Sequence, residues 1–308
     1  MKNKRLFISV LCSQVFVIIS ISGYILFKTN VLGTAVINPV SKEFITRDTV
    51  SDLYYYYEPK PNQKEIVNEW GPYNGTYLIN ADSFNERFNY QINKNHSTFR
   101  IVTLGDSYTY GLYVNTSDNW SEQLEDLMNN TCKKYKRYEV INLGVHGYDI
   151  EYAVERFRLR GQKYTPDYVI WLLKDDDLFQ VNEIMLFNLD EDNQRLDEQE
   201  SWIRAYKKMI DDYGPDYTLQ YQKKIMKEFF TSYSENLAFM TFPRMNKFSV
   251  NLISDVFPES SKVSFIELED IYADKSLYYP NDYHPTAQGH TVIAEDALQF
   301  FKDNNYCD

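Results

Sequence analysis

The pattern of apolar positions along the chain changes at about residue 99. Beyond that point, short runs rich in β-branched and aromatic residues alternate with stretches of helical periodicity, such as 120–128 and 152–160. The apolar runs predict strands at 99–104, 138–143, 168–173, 237–242 and 263–268. Short apolar strands that alternate with helices are typical of a parallel sheet covered on both faces. The sequence therefore predicts an α/β fold whose ligand site lies beyond the carboxyl ends of the strands.

The N-terminus has a different pattern, because no charged residue occurs between 6 and 27. This apolar run has about the 20 residues that a helix needs to cross a bilayer. Lys2, Lys4 and Arg5 precede it, and only Lys28 follows closely. The positive-inside rule then places the N-terminus in the cytoplasm and the rest of the chain outside. We predict a single-pass signal anchor over residues 1–28, with an extracytoplasmic domain behind it.

A cleaved signal peptide is the competing interpretation of the same run. The apolar core of a signal peptide is usually shorter, about 7–15 residues. Gly33-Thr34-Ala35 keeps a cleavage site open as an alternative. The length of the run favours the uncleaved anchor.

Two further segments precede or interrupt the predicted domain, which spans 77–308. Residues 29–76 begin with a polar, proline-containing stretch and predict a stalk and an extension, with the tyrosine run 54–57 inside a packed part. The segment 178–235 is first acidic and then amphipathic, which predicts a helical insertion. It either closes one side of the domain or forms a lid over the active site.

Composition limits the classes of partner. The formal net charge of −12 argues against binding nucleic acid, or an anionic membrane surface, through charge. The chain has 3 cysteines, and Cys132 and Cys307 could form one disulfide in an exported domain. No Cys/His group has the spacing of a zinc site, so we expect no metal.

The first candidate for chemistry is Ser107, in the segment LGDSYTYG at 104–111. It follows the first predicted strand at a strand-to-helix turn, where Gly105 permits a tight backbone. Backbone N–H groups at a helix start can stabilise a developing oxyanion. Asp and Ser are also common turn and N-cap residues, so this motif alone does not establish catalysis.

Gly144 follows the second predicted strand, in the segment INLGVHG at 141–147. Its N–H could lie close to the same oxyanion as the N–H of Ser107. The alternative is that the glycine only shapes a turn.

The third candidate is the pair Asp282 and His284, in the segment NDYHP at 281–285. An Asp two residues before a His, on a loop that enters a helix, lets the carboxylate hold the imidazole. The ring can then accept a proton from a serine. Of the 4 histidines, His284 alone has this setting; His96 and His146 are expected to be structural, and His290 either to face solvent or to pack on its helix.

Together these segments resemble the SGNH, or GDSL-type, esterase/lipase superfamily of serine hydrolases. The resemblance runs from about 77 to 301 and includes the segment NERF at 85–88. The serine, the glycine and the closing Asp–His pair occur in the family's order, although Asp282 and His284 are one residue closer than in the commonest form. The resemblance implies a flavodoxin-like three-layer α/β/α sandwich with a central parallel sheet. It also implies the hydrolysis or transfer of an ester-linked acyl group without a cofactor.

One position departs from the family. The family usually has Gly-x-Asn-Asp after the third strand, and the Asn side chain donates to the oxyanion; here the segment is KDDD and the position falls on Asp176. An ionised Asp cannot donate, and losing one such donor typically costs about 10²–10³ in rate. Either burial protonates Asp176, another group donates, two backbone donors suffice, or catalysis has been lost.

The resulting expectation is a membrane-anchored serine esterase. Ser107 attacks the acyl carbon, His284 is the base, Asp282 orients His284, and the amides of Ser107 and Gly144 bind the oxyanion. The substrate would be a small-molecule or glycan acyl ester, such as an O-acetylated envelope glycan. The alternatives are an O-acyltransferase on the same scaffold and an inert binding module, which Asp176 favours.

Overall fold

The computed structural model describes residues 45–47, 50–67, 73–191, 198–233, 236–257 and 263–308. The strands are β1 (Ile45–Arg47), β2 (Tyr57–Pro59), β3 (Gln63–Val67), β4 (Thr76–Ile79), β5 (Thr98–Leu104), β6 (Arg137–Asn142), β7 (Tyr168–Leu172), β8 (Asn236–Thr241) and β9 (Val263–Glu267). The α-helices are α1 (Ser107–Tyr110), α2 (Trp120–Thr131), α3 (Ile150–Arg156), α4 (Asn182–Glu191), α5 (Glu198–Tyr213), α6 (Pro215–Ser232), α7 (Ser249–Val256) and α8 (Ala287–Asp303).

Strands β5 to β9 form a five-stranded sheet in the order β6-β5-β7-β8-β9, and every pairing in it is parallel. Strand β5 lies between β6 and β7 and is buried along its whole length, as its apolar run predicts. Thr103 pairs with Asn142 of β6, and Leu104 pairs with Trp171 of β7. The three strands therefore end at the same edge of the sheet. The predicted α/β class and parallel sheet are confirmed.

Helices cover both faces of this sheet, because alternate side chains of each strand point to opposite faces. On one face, Ile101 and Ile170 lie in an apolar core with residues of α2 and α8. On the other face, Val102 and Trp171 lie in a core with residues of α3, α6 and α7. This is the three-layer arrangement that the resemblance implies.

A disulfide joins Cys132, which follows α2, to Cys307, which follows α8. It links the ends of two helices that pack on the same face of the sheet. The pairing that the sequence left open is therefore present in the structure.

Part of the predicted extension packs against the domain. Tyr56 and Tyr57 are buried, and their rings contact those of Tyr148 and Tyr152. Glu58 forms buried ion pairs with the side chain of Arg156. Tyr56 and Tyr57 are thus packed, as expected of the tyrosine run, whereas Tyr54 is 65% exposed. Residues 29–44, the start of the predicted stalk, lie outside the described residues.

The segment 178–235 contains α4, α5 and α6. Helix α6 buries Met226 and Phe229 against the sheet, and the ring of Phe229 lies 5.5 Å from that of Trp171. Helices α4 and α5 pack on each other and share an apolar cluster with the N-terminal extension. For α6, the structure favours closure of one side of the domain over a lid.

The predicted anchor over residues 1–28 also lies outside the described residues. Within the ranges that the structure does describe, none of the helices is both long enough and apolar enough to cross a bilayer. The single-pass topology stays a prediction.

Candidate active site

Ser107 lies directly beyond the carboxyl end of β5, as the first residue of α1. The turn requires glycine at Gly105, where φ is +149° and an added Cβ would lie 2.3 Å from Oγ1 of Thr109. Asp106 caps α1, since its Oδ1 accepts from the amide of Tyr108 at 2.9 Å. The amide of Ser107 donates to no atom of the described residues. It is therefore a free N–H beside the serine hydroxyl.

The three predicted catalytic residues meet in the structure. Nε2 of His284 lies 2.7 Å from Oγ of Ser107, and Nδ1 hydrogen-bonds to Oδ1 of Asp282. All three side chains are buried; Ser107 is 3% and His284 is 1% exposed. The carboxylate partner assigns the proton to Nδ1, which leaves Nε2 to accept the serine proton. The order is that of a serine–histidine–aspartate triad.

Asp282 is held as a carboxylate. Burial alone would raise its pKa, but hydrogen bonds from His284 and Tyr113 keep the pKa of Asp282 below its usual value. The hydroxyl of Tyr113 donates to Oδ2 at 3.1 Å, so each carboxylate oxygen has its own donor. Tyr113 is not among the predicted site residues, because 169 positions separate it from Asp282.

The imidazole of His284 is fixed between two tyrosine rings. The ring of Tyr108 is tilted over it at 4.7 Å, and the ring of Tyr113 meets it edge-on at 5.4 Å. Such contacts restrict rotation of the imidazole and keep Nε2 directed at Ser107.

The close spacing of Asp282 and His284 is accommodated by Tyr283, which lies in the left-handed region with φ at +70°. Its carbonyl accepts hydrogen bonds from the hydroxyls of Tyr108 at 3.0 Å and Tyr272 at 3.2 Å. A non-glycine residue in this conformation is uncommon and is often found at functional sites. The two hydroxyls hold the turn that brings the carboxylate to the imidazole.

Gly144 packs directly against α1. A Cβ at this position would lie 2.4 Å from the amide nitrogen of Tyr110, so no larger residue fits. The amide of Gly144, a predicted oxyanion donor, here donates to Oδ1 of Asn142 at 2.8 Å. The amide group of Asn142 in turn donates to the carbonyl of Thr109 at 2.8 Å. Asn142, which the sequence did not single out, thus ties the loop of Gly144 to the helix of Ser107.

The segment ahead of β5 supports both loops. The Asn85 side chain donates to the carbonyl of Tyr110 at 2.9 Å, and Glu86 accepts from the amide of Asn142. These bonds fix the end of α1 and the end of β6 relative to each other. The segment 85–88 of the resemblance therefore has a positioning role.

Asp176, the predicted substitute for the family's Asn, lies at the edge of this site. Its side chain is 32% exposed, and its Oδ1 is 3.3 Å from Nζ of Lys174. Lys174 is buried and also contacts Asp106 and Asp177. Asp175 points elsewhere and accepts from the amides of residues 248 and 249 at the start of α7. Lys174 is not among the predicted residues; a single cation in an acidic loop after a buried strand was the available signal.

The other histidines lie outside this constellation. His290 is buried, its Nδ1 accepts from the amide of Trp120 at 3.2 Å, and burial lowers its pKa to about 3. Burial also lowers the pKa of His146 to about 3, and His96 is exposed. Among the described residues, no group of three or more His, Cys, Asp or Glu side chains is arranged to hold a metal ion.

No protein-family model and no curated protein sequence matches the chain. Several solved structures are similar in outline. One is assigned to the G-D-S-L lipolytic family, from Desulfitobacterium hafniense, with 15% identity, a TM-score of 0.39, and coverage of 65% of this chain and 98% of that one. The psychrotrophic esterase EstA from Pseudoalteromonas sp. has 15% identity, a TM-score of 0.41, and coverage of 66% and 97%. A variant of an acetylxylan esterase from Geobacillus stearothermophilus has 14% identity, a TM-score of 0.41, and coverage of 68% and 95%.

Proposed function

We propose that the protein is a serine esterase that hydrolyses short acyl esters. The observation that supports this most directly is the contact of 2.7 Å between Oγ of Ser107 and Nε2 of His284, whose Nδ1 is bonded to Asp282. Ser107 and the pair of Asp282 and His284 come from segments 177 positions apart, and they meet in the order that acyl transfer needs.

In the proposed reaction, Oγ of Ser107 bonds to the acyl carbon while its proton passes to Nε2 of His284. The carbonyl π electrons move to the oxygen, which accepts from the amide of Ser107. The amide of Gly144 can become a second donor to this oxygen if it gives up its hydrogen bond to Oδ1 of Asn142. His284 then protonates the leaving alkoxide, and water resolves the acyl-enzyme by the same steps in reverse.

The burial of Ser107 and His284 favours a short acyl group such as acetyl, since a long chain would need an apolar channel to Oγ. The alcohol portion is proposed to be a carbohydrate. The rings of Tyr73 and Tyr279 stack at 4.1 Å beside Tyr113 and are partly exposed, which gives a flat apolar surface close to the triad. Sugar rings bind to such surfaces through their apolar faces.

The location is proposed to be extracytoplasmic, with residues 6–27 as a membrane anchor. The disulfide between Cys132 and Cys307 supports an oxidising compartment. An anchored domain that faces outward would meet O-acetylated envelope glycans.

The test is hydrolysis of p-nitrophenyl acetate by the full-length chain in detergent. We expect Ser107→Ala and His284→Ala to lower kcat by at least about 10³-fold, whereas the exposed control His96→Ala keeps it. Wild-type turnover that persists in Ser107→Ala would contradict the proposal. Adding an acceptor sugar separates hydrolysis from O-acyl transfer, and a folded wild type without any turnover would favour an inert binding module.

A further inference from the structure

Lys174 is a fully enclosed cation next to the nucleophile. Its side chain is 2% exposed, and its ammonium lies 4.9 Å from the centre of the Tyr108 ring. Nζ is 2.6 Å from Oδ2 of Asp106, 3.3 Å from Oδ1 of Asp176 and 3.2 Å from Oδ1 of Asp177. An ammonium has three protons to donate, and three carboxyl groups surround the ammonium of Lys174. We call these four residues the Lys174 cluster.

The cluster adjoins the atom that reacts. Oδ2 of Asp106, which accepts from Lys174, also lies 3.4 Å from Oγ of Ser107. Nucleophilic attack creates a negative charge on the substrate oxygen close to this carboxylate. In a buried site, two like charges at such distances repel strongly, which would raise the energy of the tetrahedral intermediate.

The ammonium remains charged in this setting. Burial alone would lower the pKa of Lys174, but Asp106, Asp176 and Asp177 raise it well above its usual value. Burial raises the pKa of Asp177 well above its usual range, so this carboxyl most readily holds a proton. Asp106 and Asp176 then share the single positive charge of Lys174. Within the described part of the chain, no other lysine or arginine forms an ion pair with them.

We propose that Lys174 is a positioning residue that offsets the charges of Asp106 and Asp176, and thereby permits negative charge to build up on the tetrahedral intermediate at Ser107. Asp176 is accordingly a partly exposed member of this ion-pair cluster rather than an oxyanion donor. The inference deepens the proposed function and rests on it.

A double-mutant cycle that removes charges from the full-length chain tests the role, with kcat and KM measured on p-nitrophenyl acetate. The variants are Lys174→Met, Asp176→Asn and the double variant. We expect Lys174→Met to lower kcat by about 10²-fold with little change in KM, because charge is left uncompensated next to the intermediate. Asp176→Asn, added to Lys174→Met, should restore kcat by about ten-fold, since it removes one of the unbalanced charges.

A purely structural role for Lys174 would lower the thermal midpoint without this rescue. The control applies the same substitutions to the exposed ion pair Lys207 and Asp211 on α5, where kcat should not change. The inference is overturned if Lys174→Met keeps kcat within about three-fold of wild type, or if the double variant is no faster than Lys174→Met.

If Lys174→Met lacks a cooperative unfolding transition, the double variant is compared with Asp176→Asn instead. A kcat lower in the double variant than in Asp176→Asn, at equal KM, supports the inference. Equal kcat values in these two variants overturn it. The comparison requires that the wild type shows turnover that depends on Ser107. If this turnover is absent, both the proposed function and the inference are contradicted. If the wild type is active and kcat does not depend on Lys174, only the inference is contradicted.

Discussion

Two of the buried acidic clusters in the described part of the chain differ in the group at their centre. The Lys174 cluster beside Ser107 surrounds an ammonium. The Tyr90 cluster consists of Glu86, Tyr90, Glu122 and Glu125, and its centre is a phenol, whose hydroxyl lies 2.8 Å from Glu125 and 3.1 Å from Glu86.

The difference in the central group sets the protonation of the carboxyl groups. Burial raises the pKa of Glu125 to about 7 and that of Glu86 well above its usual value. A phenol cannot offset a buried carboxylate charge, so these groups take up protons. An ammonium can, and in the Lys174 cluster the pKa of Lys174 is raised as well as that of Asp177. The two clusters therefore differ in which of their groups carry charge.

The largest contrast should appear in catalysis. Asp282→Asn removes the charge that orients and stabilises the His284 imidazolium, and we expect kcat for p-nitrophenyl acetate to fall about 10²–10⁴-fold. Glu125→Gln, a matched carboxyl-to-amide change in the Tyr90 cluster, should leave kcat unaltered. Steady-state kinetics on both variants compares them directly; equal losses would erase the distinction between the acids around Ser107 and those of the Tyr90 cluster.

The second largest effect should appear in the free energy of unfolding, on loss of the ammonium at the centre of the Lys174 cluster. Lys174→Met leaves buried carboxylates without their cation, and we expect the free energy of unfolding at pH 7 to fall by about 3–5 kcal/mol. Urea denaturation measures this, with Lys224→Met on the exposed face of α6 as the control. A loss no greater than that of the control would mean that the ion pairs around Lys174 contribute nothing to folding.

In the Tyr90 cluster, replacing a buried carboxyl group should raise the free energy of unfolding at high pH, whereas Lys174→Met should lower it. The pKa of Glu125 is higher in the folded chain, so its contribution is present below about pH 4.3 and is lost as pH rises towards 7. Glu125→Gln should thus match wild type near pH 4 and exceed it by roughly 2–3 kcal/mol at pH 8. Urea titrations at both pH values check this, and a difference that does not vary with pH would refute the raised pKa.

The smallest effect concerns Tyr113. Tyr113→Phe removes the hydrogen bond to Oδ2 of Asp282 but keeps the ring against His284. A hydrogen bond of about 1 kcal/mol corresponds to roughly a five-fold loss of kcat at constant KM. Tyr213→Phe, at an exposed ring on α5, is the control. An unchanged kcat would show that the Nδ1 contact alone is sufficient for Asp282.

Much of the fold was predictable, because buried parallel strands are apolar along their whole length. The apolar run at 99–104 predicted a strand that coincides with β5 (Thr98–Leu104) except for its first residue. Ser107, Asp282 and His284 could be inferred because each lies in a short local motif whose spacing reflects its chemistry.

The supporting residues could not be inferred in this way. Tyr113, Asn142 and Lys174 act through contacts between segments far apart in sequence. Tyr113 and Asn142 lie in no pattern that differs from ordinary core or loop residues, and the acidic loop around Lys174 does not show which group the lysine contacts. The engagement of the Gly144 amide by Asn142 likewise depends on the path of the loop, which the residue types do not determine.

Covalent labelling of Ser107 tests the central claim most directly. The full-length chain is treated with a fluorophosphonate, and the adduct is located by peptide mass spectrometry. We expect a single adduct on the peptide that contains Ser107, formed about 10²-fold or more slowly in His284→Ala and at the wild-type rate in His96→Ala. No adduct at Ser107, or labelling that is equally fast without His284, would contradict the assignment of this site as a serine hydrolase.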